Sequence, residues 1–304
     1  YLHHLTVSVV KLVDKDRLPK RRIPRQSMHK TQTLGLNVVQ INQRRCRRKS
    51  RTRFALEHNY PLTVIGYGTN LLIRDGGIRG VVIQIAAPFA KARVDGQVLT
   101  ATTGCLLSSL SKLALQYSLS GLEFAVGIPG GLGGASFMNA GAYGGEIGPL
   151  VRSAQLVQDG EVKTWDRSEL SFAYRTSRFQ KEASMPIITR VELELVPKDR
   201  AAIRQKMDEL QHQRRSKQPL ELPSAGSTFK RPPDHYVGPL IEKAGLKGLR
   251  IGGAEVSTKH AGFIVKTGEA KAKDFLDLIA AIQSEIWEKF GVRLEPEIRI
   301  LGED

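Results

Sequence analysis

Gly127-Ile128-Pro129-Gly130-Gly131-Leu132-Gly133-Gly134-Ala135, followed by Met138-Asn139-Ala140-Gly141-Ala142-Tyr143-Gly144-Gly145, is the stretch on which the reading of this chain turns. Eight of the nineteen residues in 127–145 are glycine. So little side-chain bulk suits a backbone pressed against a flat or phosphorylated ligand, and a glycine-rich structural loop is the alternative. The spacing is not the G-x-G-x-x-G fingerprint inside a βαβ unit, so a Rossmann domain is not implied. A second glycine-bearing segment, Gly66-Tyr67-Gly68-Thr69-Asn70-Leu71-Leu72, directly follows a strand-like run. Successive backbone N–H groups there can form an anion-binding concavity suited to a pyrophosphate, although a tight turn between strands explains the glycines equally well.

Around these segments the pattern mixes helix and strand. Pro61–Ile65 and Val81–Ile85 read as short buried strands joined through a glycine-rich turn. Asp95-Gly96 and Asp159-Gly160 read as hairpin turns, because this dipeptide tolerates positive φ. Leu106, Leu107, Leu110, Leu113, Ala114 and Tyr117 fall at helical spacing, and Val191, Leu193 and Leu195 alternate with charged residues as in a half-buried strand. A polar helix over 199–216 offers a bridge between two domains. A helix over 270–290 carries Phe275, Leu276, Ile279, Ile282, Ile286 and Phe290 on one stripe and stops at Gly291. A closing strand over 292–301 puts Val292, Leu294, Ile298 and Ile300 on one face, and Arg293, Glu295, Glu297 and Arg299 on the other. Without a strict βαβ rhythm the expected class is α+β.

The net charge of +16 invites a nucleic-acid reading, but the charge sits in one place. Residues 1–53 hold 15 Lys+Arg against 2 Asp+Glu, a net of +13, while the remaining 251 residues carry only +3. The basic segment has no sustained period and no aromatic residue between Tyr1 and Phe54, so it reads as disordered or non-native and not as a nucleic-acid arm. The expected organisation is this anomalous segment over 1–53, a first domain over 54–197 and a second over 198–304. Two cysteines exclude a disulfide framework or a multi-cysteine metal site, and no metal is expected. No run approaches 18 apolar residues and no secretory pattern is visible, so a cytoplasmic protein without a membrane or nucleic-acid partner is expected.

Two short polar clusters complete the set. Tyr174-Arg175-Thr176-Ser177 offers an arginine able to grip a carboxylate through two parallel hydrogen bonds. Ser224-Ala225-Gly226-Ser227-Thr228-Phe229-Lys230 offers a serine able to pass a proton. Taken singly, each is more often a surface ion pair or a helix cap. His235 and His260 lie near the serine cluster in sequence but have no metal-ligand spacing, and no G-x-S-x-G elbow is present.

Together, the segments 66–77, 127–146, 172–179, 218–230, 251–265 and 294–302 resemble, in family order, the UDP-N-acetylenolpyruvoylglucosamine reductases, in their shorter bacterial form. The resemblance runs from about Leu56 to the end. It implies an FAD-binding domain of the vanillyl-alcohol-oxidase (PCMH) type followed by a smaller α+β substrate domain. By the same resemblance, NADPH would reduce the FAD, and the enolpyruvyl double bond of UDP-N-acetylglucosamine enolpyruvate would then be reduced to give UDP-N-acetylmuramate for peptidoglycan, and with it cell shape and division. By motif, Arg175 would hold the enolpyruvyl carboxylate and Ser227 would protonate the carbanion-like intermediate. Glu297 would assist polarisation, with Glu295 as the fallback. The flavin contacts would come from Gly66, Gly68, Thr69, Asn70 and Leu71 in the first glycine segment. In the second they would come from Gly127, Ile128, Pro129, Gly130, Gly133, Gly134, Asn139, Gly141 and Ala142. A monomer is expected. The family's Thr-x-x-x-Gly-Gly-Pro-Ala-like segment has no counterpart in residues 1–53, as a frameshifted reading of that region would produce. The competing readings are another flavin oxidoreductase of this fold, a catalytically impaired relic of the family, and a basic nucleic-acid-binding protein.

Overall fold

The computed structural model describes residues 60–304 together with the backbone of the two-residue strand Ser8–Val9. The reading of 1–53 as an anomalous segment otherwise falls outside the described residues. In chain order the main elements are β1 (Leu62–Ile65), β2 (Leu71–Ile73), β3 (Val81–Gln84), β4 (Ala92–Asp95), β5 (Val98–Thr102), α1 (Leu107–Gln116), α2 (Leu132–Met138), β6 (Val151–Gln158) and β7 (Glu161–Asp166). They continue with β8 (Ile187–Glu194), α3 (Arg200–Lys217), β9 (Ser224–Ser227), α4 (Val237–Lys243), β10 (Ala254–Val256), β11 (Phe263–Lys266), α5 (Ala272–Phe290) and β12 (Arg299–Leu301). By contacts the chain divides into two compact units. Among the described residues the first takes most of 60–214, and the second takes 68–81 and 215–304.

The first unit is built on an antiparallel sheet in the order β7-β6-β8-β5-β4. Its strands alternate as the sequence requires: Val191, Leu193 and Leu195 are fully buried while Glu194 is exposed. Leu99 and Ala101 of β5, Leu107, Leu110 and Ala114 of α1, and Leu132 and Ala135 of α2 fill the core against them. Tyr117, placed on the same stripe by spacing, is 56% exposed because the helix ends at Gln116. The β6–β7 hairpin turns on Asp159 and Gly160, with φ of 53° and 84°, the double positive φ of a two-residue hairpin loop. In the β4–β5 hairpin Asp95 instead pairs with Val98, so the loop is Gly96-Gln97 and Asp95 is its flank.

In the second unit, β9, β11 and β10 form an antiparallel sheet that continues to Arg250–Ile251. The stripe Phe275, Ile279, Ile282 and Ile286 of α5 and Leu240 and Ile241 of α4 build its core. Gly291 ends α5 in the left-handed region, and both carboxylate oxygens of Asp75 cap its start, accepting from Ala272 N at 2.9 Å and Lys273 N at 3.2 Å. The closing strand is shorter than its alternation predicts. Only Arg299–Leu301 is strand, parallel to β2, and Pro296 makes an isolated bridge with Phe229. Proline has no N–H to give a ladder, which breaks the run in the middle.

Two boundaries differ from those read in the sequence. The contact-based units part at 214/215, inside α3, whereas the sequence pattern predicts a domain boundary at 197/198. The cause is that Ile203 and Met207 on α3 are buried with Leu115 and Val126 of the first unit. Likewise β1 and β3 are not joined by a simple turn. Residues 68–81 leave with the second unit, because β2 takes its hydrogen bonds from β12.

Candidate active site

The first unit gathers the glycine-rich segment, Arg175 and the end of α3. Its glycines divide by what surrounds them. A Cβ on Gly127 would fall 2.7 Å from Arg214 Cδ, and one on Gly133 would fall 2.9 Å from Thr103 Cβ, so both are needed for close packing within the protein. Gly133 also donates its N–H to Thr103 O at 3.1 Å, and Gly130 O accepts from Leu107 N at 3.1 Å. Gly66 and Gly134 instead face open space: a Cβ added at either would meet nothing within 4 Å. Ile128 packs on the core, its N–H donating to Ala125 O at 3.2 Å.

Asn139, 1% exposed, caps α2 in the left-handed region at φ 49°. Its side chain is committed inside the unit. Nδ2 donates to Ala173 O at 2.9 Å and to Glu146 Oε2 at 3.0 Å, and Oδ1 accepts from Gly148 N at 2.7 Å. These bonds tie the Tyr174–Arg175 turn to the glycine-rich segment. Ala173 and Thr176 close that turn by bonding to each other, and Arg175 sits at its apex with φ 53°. Arg175 Nη2 donates to Gly141 O at 2.9 Å, and its guanidinium lies 4.9 Å from the centre of the Tyr174 ring. Gly141 pairs with Glu146 and Ala142 with Gly145, and a Cβ on Gly141 would meet Gly145 O at 2.6 Å. The turn is anchored downstream by Phe179, buried and stacked on Trp165 at 5.4 Å.

Arg214 ends the unit. Its Nε and Nη1 are buried and have no hydrogen-bond partner among the described residues. Burial lowers its pKa from the usual arginine value, opposed by the nearby Tyr143, whose own pKa burial raises. Leaving part of a guanidinium orphaned in this way is costly, and an anion is the group that would relieve it. No pattern in the sequence marks this residue, because Arg214 stands in an ordinary polar helix run, Gln213-Arg214-Arg215.

The second unit brings together the other predicted residues. Ser227 ends β9, pairs with Phe263, and its Oγ lies 3.4 Å from Phe229 O. The chain then runs beside 295–297: Lys230 N donates to Glu295 O and Glu297 N to Thr228 O, both at 2.8 Å. Ser227 and Glu297 therefore lie on neighbouring segments despite their wide separation in sequence. Asn70 joins the same edge, its Nδ2 donating to Glu297 O at 3.1 Å and its carbonyl accepting from Arg299 N at 3.0 Å. Thr69 O lies 3.8 Å from a Cβ position on Gly226, Leu71 begins β2, and Gly68 O accepts from Leu71 N at 3.3 Å. Burial also lowers the Arg299 pKa. The two glutamates differ. Glu295 is 70% exposed at its side chain and ion-paired with Lys230, whereas Glu297 is half-buried. His260 is fixed by its own loop, its Nδ1 accepting from Gly262 N at 3.1 Å, and burial lowers its pKa. Among the described residues no group of His, Cys, Asp and Glu could hold a metal, and no helix is long and apolar enough to cross a membrane.

Comparison with known proteins places this arrangement. Residues 218–301 match the C-terminal domain of UDP-N-acetylenolpyruvoylglucosamine reductase, and residues 49–165 match the FAD binding domain family. The UDP-N-acetylenolpyruvoylglucosamine reductase of Latilactobacillus sakei is 53% identical over 251 residues, covering 82% of this chain and 81% of the relative. That of Levilactobacillus brevis is 51% identical over 257 residues, covering 84% of each. The chain belongs to the UDP-N-acetylenolpyruvoylglucosamine reductase family. The crystal structure of the reductase from Thermus caldophilus superposes with a TM-score of 0.72 at 36% identity, covering 83% of this chain and 90% of that one.

Family membership gives the α+β class its content: an FAD-binding PCMH-type domain followed by this reductase's own C-terminal domain, in an FAD-dependent oxidoreductase. It also disfavours the reading as another oxidoreductase of the same fold, because 218–301 match the C-terminal domain particular to this reductase. The residues suit FAD. Gly66 and Gly134 leave room, and the orphaned Arg214 guanidinium offers charge to a pyrophosphate.

Proposed function

We propose that this reductase converts UDP-N-acetylglucosamine enolpyruvate to UDP-N-acetylmuramate in the cytoplasm, using FAD and NADPH, as a monomer supplying peptidoglycan synthesis and hence cell growth and division. The observation that carries the reading is that Ser227 and Glu297 lie on neighbouring segments joined by backbone hydrogen bonds from Glu297 N to Thr228 O and from Lys230 N to Glu295 O. Gly66, Gly68, Thr69, Asn70 and Leu71, with the loop 127–134 and Gly141–Ala142, would hold the flavin, and Arg214 would bind its phosphates. When bound, FAD supplies the hydride, received from NADPH, that adds to the enolpyruvyl double bond.

The rest falls to the protein. Addition of hydride to the methylene carbon leaves a pair of electrons on the carbon beside the carboxylate, delocalised into it as an enolate. Arg175, held at the apex of its turn, binds that carboxylate and stabilises the charge where it develops. Ser227 Oγ delivers a proton to the carbon and is reprotonated from solvent; a positioned hydroxyl can serve a strongly basic carbanion although it is a weak acid in water. Glu297, half-buried, polarises the substrate from the neighbouring segment; Glu295 is committed to Lys230. Asn139 supports the site by shape, its side chain being consumed within the unit.

The test is stopped-flow kinetics of Ser227→Ala. Flavin reduction by NADPH should stay near the wild-type rate, and reoxidation by substrate should slow about 10²–10⁴-fold, the usual worth of a general acid. A variant slowed in flavin reduction alone would refute the assignment.

A further inference from the structure

The turn that presents Arg175 is held by a side chain that takes no part in hydride or proton transfer. Gln180 is half-buried at the end of the short helical turn Arg178–Gln180. Its amide Nε2 donates to Phe137 O at 2.9 Å and to Arg175 O at 3.3 Å. Each of its two N–H groups thus serves one carbonyl, and the amide links the last turn of α2 to the backbone of Arg175 itself. Ser177 Oγ donates to the same Phe137 carbonyl at 2.5 Å. Asn139 completes the frame from the other side through Ala173 O. Arg175 needs such a frame, because a long side chain at φ 53° occupies a sparsely populated backbone region that persists only when its surroundings over-determine it.

We infer that Gln180 is a positioning residue for Arg175: by bridging the carbonyls of Phe137 and Arg175 it fixes the direction from which the guanidinium meets the enolpyruvyl carboxylate. The inference rests on the reading of Arg175 as the carboxylate-binding group. A bidentate grip is directional, so a relaxed turn weakens it without touching any other part of the site. Reduction of the flavin by NADPH does not involve the carboxylate and is indifferent to Gln180.

The experiment uses the full chain loaded with FAD and three variants: Gln180→Met, which keeps length and removes both donors, Arg175→Ala, and the two combined. Three quantities are read: the dissociation constant of UDP-N-acetylglucosamine enolpyruvate by calorimetry, flavin reduction by NADPH, and flavin reoxidation by substrate. Gln180→Met should weaken substrate binding and slow reoxidation by about 10–100-fold, the scale of a misplaced reacting group. Flavin reduction should stay within about twofold, and the double variant should be no worse than Arg175→Ala alone, because neighbours acting through one another are not additive. If Gln180→Met is too unstable to assay, Gln180→Glu keeps the shape but sets a carboxylate against two carbonyls. Its substrate affinity should be low at neutral pH and recover as acid restores one donor. The inference is overturned if the Gln180 variants bind and turn over substrate normally at all pH values, if their loss adds in full to that of Arg175→Ala, or if flavin reduction falls by the same factor. Normal binding and reoxidation in Arg175→Ala would instead bring down the carboxylate reading itself, and this inference with it.

Discussion

Replacing Asn139 by alanine tests whether that side chain is a structural tie or a flavin contact. The substitution removes three hydrogen bonds of 2.7, 2.9 and 3.0 Å from a residue 1% exposed. Gly148 N is the worst loss, a buried donor left unpaired, at about 1–3 kcal/mol. Ala173 O and the half-buried Glu146 recover part of theirs from water, and alanine in the left-handed region adds about 1 kcal/mol. The total is about 4 kcal/mol, a large part of an ordinary folding free energy of about 5–15 kcal/mol. At about 2–4 °C per kcal/mol for a chain of this size, the thermal midpoint should fall by roughly 8–16 °C. Asn139→Gly keeps the backbone conformation and should regain about 1 kcal/mol of that. Asn139→Asp keeps the acceptor for Gly148 N but sets a second carboxylate beside Glu146, and should be rescued by mild acid. Thermal and urea unfolding of the apoprotein, with FAD titrations alongside, measure all three. An apoprotein midpoint within about 2 °C of wild type for Asn139→Ala, together with weakened FAD binding, would refute the structural account and make Asn139 a flavin contact.

Arg214→Met should leave the apoprotein as stable or more stable, since it removes a partly orphaned guanidinium, yet weaken FAD about 10–100-fold, the worth of a charged hydrogen bond; unchanged FAD affinity in a fluorescence titration would dissociate Arg214 from the flavin phosphates. Glu297→Gln should lower kcat for substrate-dependent NADPH oxidation. Glu295→Gln should not, because it breaks only a surface ion pair worth about 0–1 kcal/mol, and the reverse outcome would exchange their roles. His260 has its folded-state pKa below the unfolded value, chiefly through burial and against the pull of a backbone hydrogen bond, so its neutral form contributes stability that is present above about pH 6.5 and lost as pH falls below it. His260→Asn, which can still accept from Gly262 N, should flatten the fall in thermal midpoint between about pH 7 and about pH 5; an equally steep fall would place the acid-sensitive group elsewhere.

The class of the fold was legible in the residue pattern alone. Periodicity exposes which face of an element is buried, which is why Val191, Leu193 and Leu195, and the stripe on α5, could be placed without coordinates. Glycine density marked the segment that admits close backbone approach, and motif order named Arg175, Ser227 and Glu297 as candidates. Periodicity and motif are local, and whatever depended on pairing distant segments was not legible. That residues 68–81 join the second unit follows from the parallel pairing of β2 with β12, near the opposite end of the chain. Glu297 and Glu295 are identical in side chain and share one face of a predicted strand; they are told apart by Lys230, which reaches Glu295 across 65 positions of sequence. Arg214 and Gln180 look like any polar residues in sequence; only packing strips water from the first and sets the second between two carbonyls. A side chain's burial and partners are properties of the folded neighbourhood, and tertiary structure alone decided which glycines face protein, which face open space, and which buried polar atoms, such as Arg214 Nε and Nη1, have no hydrogen-bond partner among the described residues.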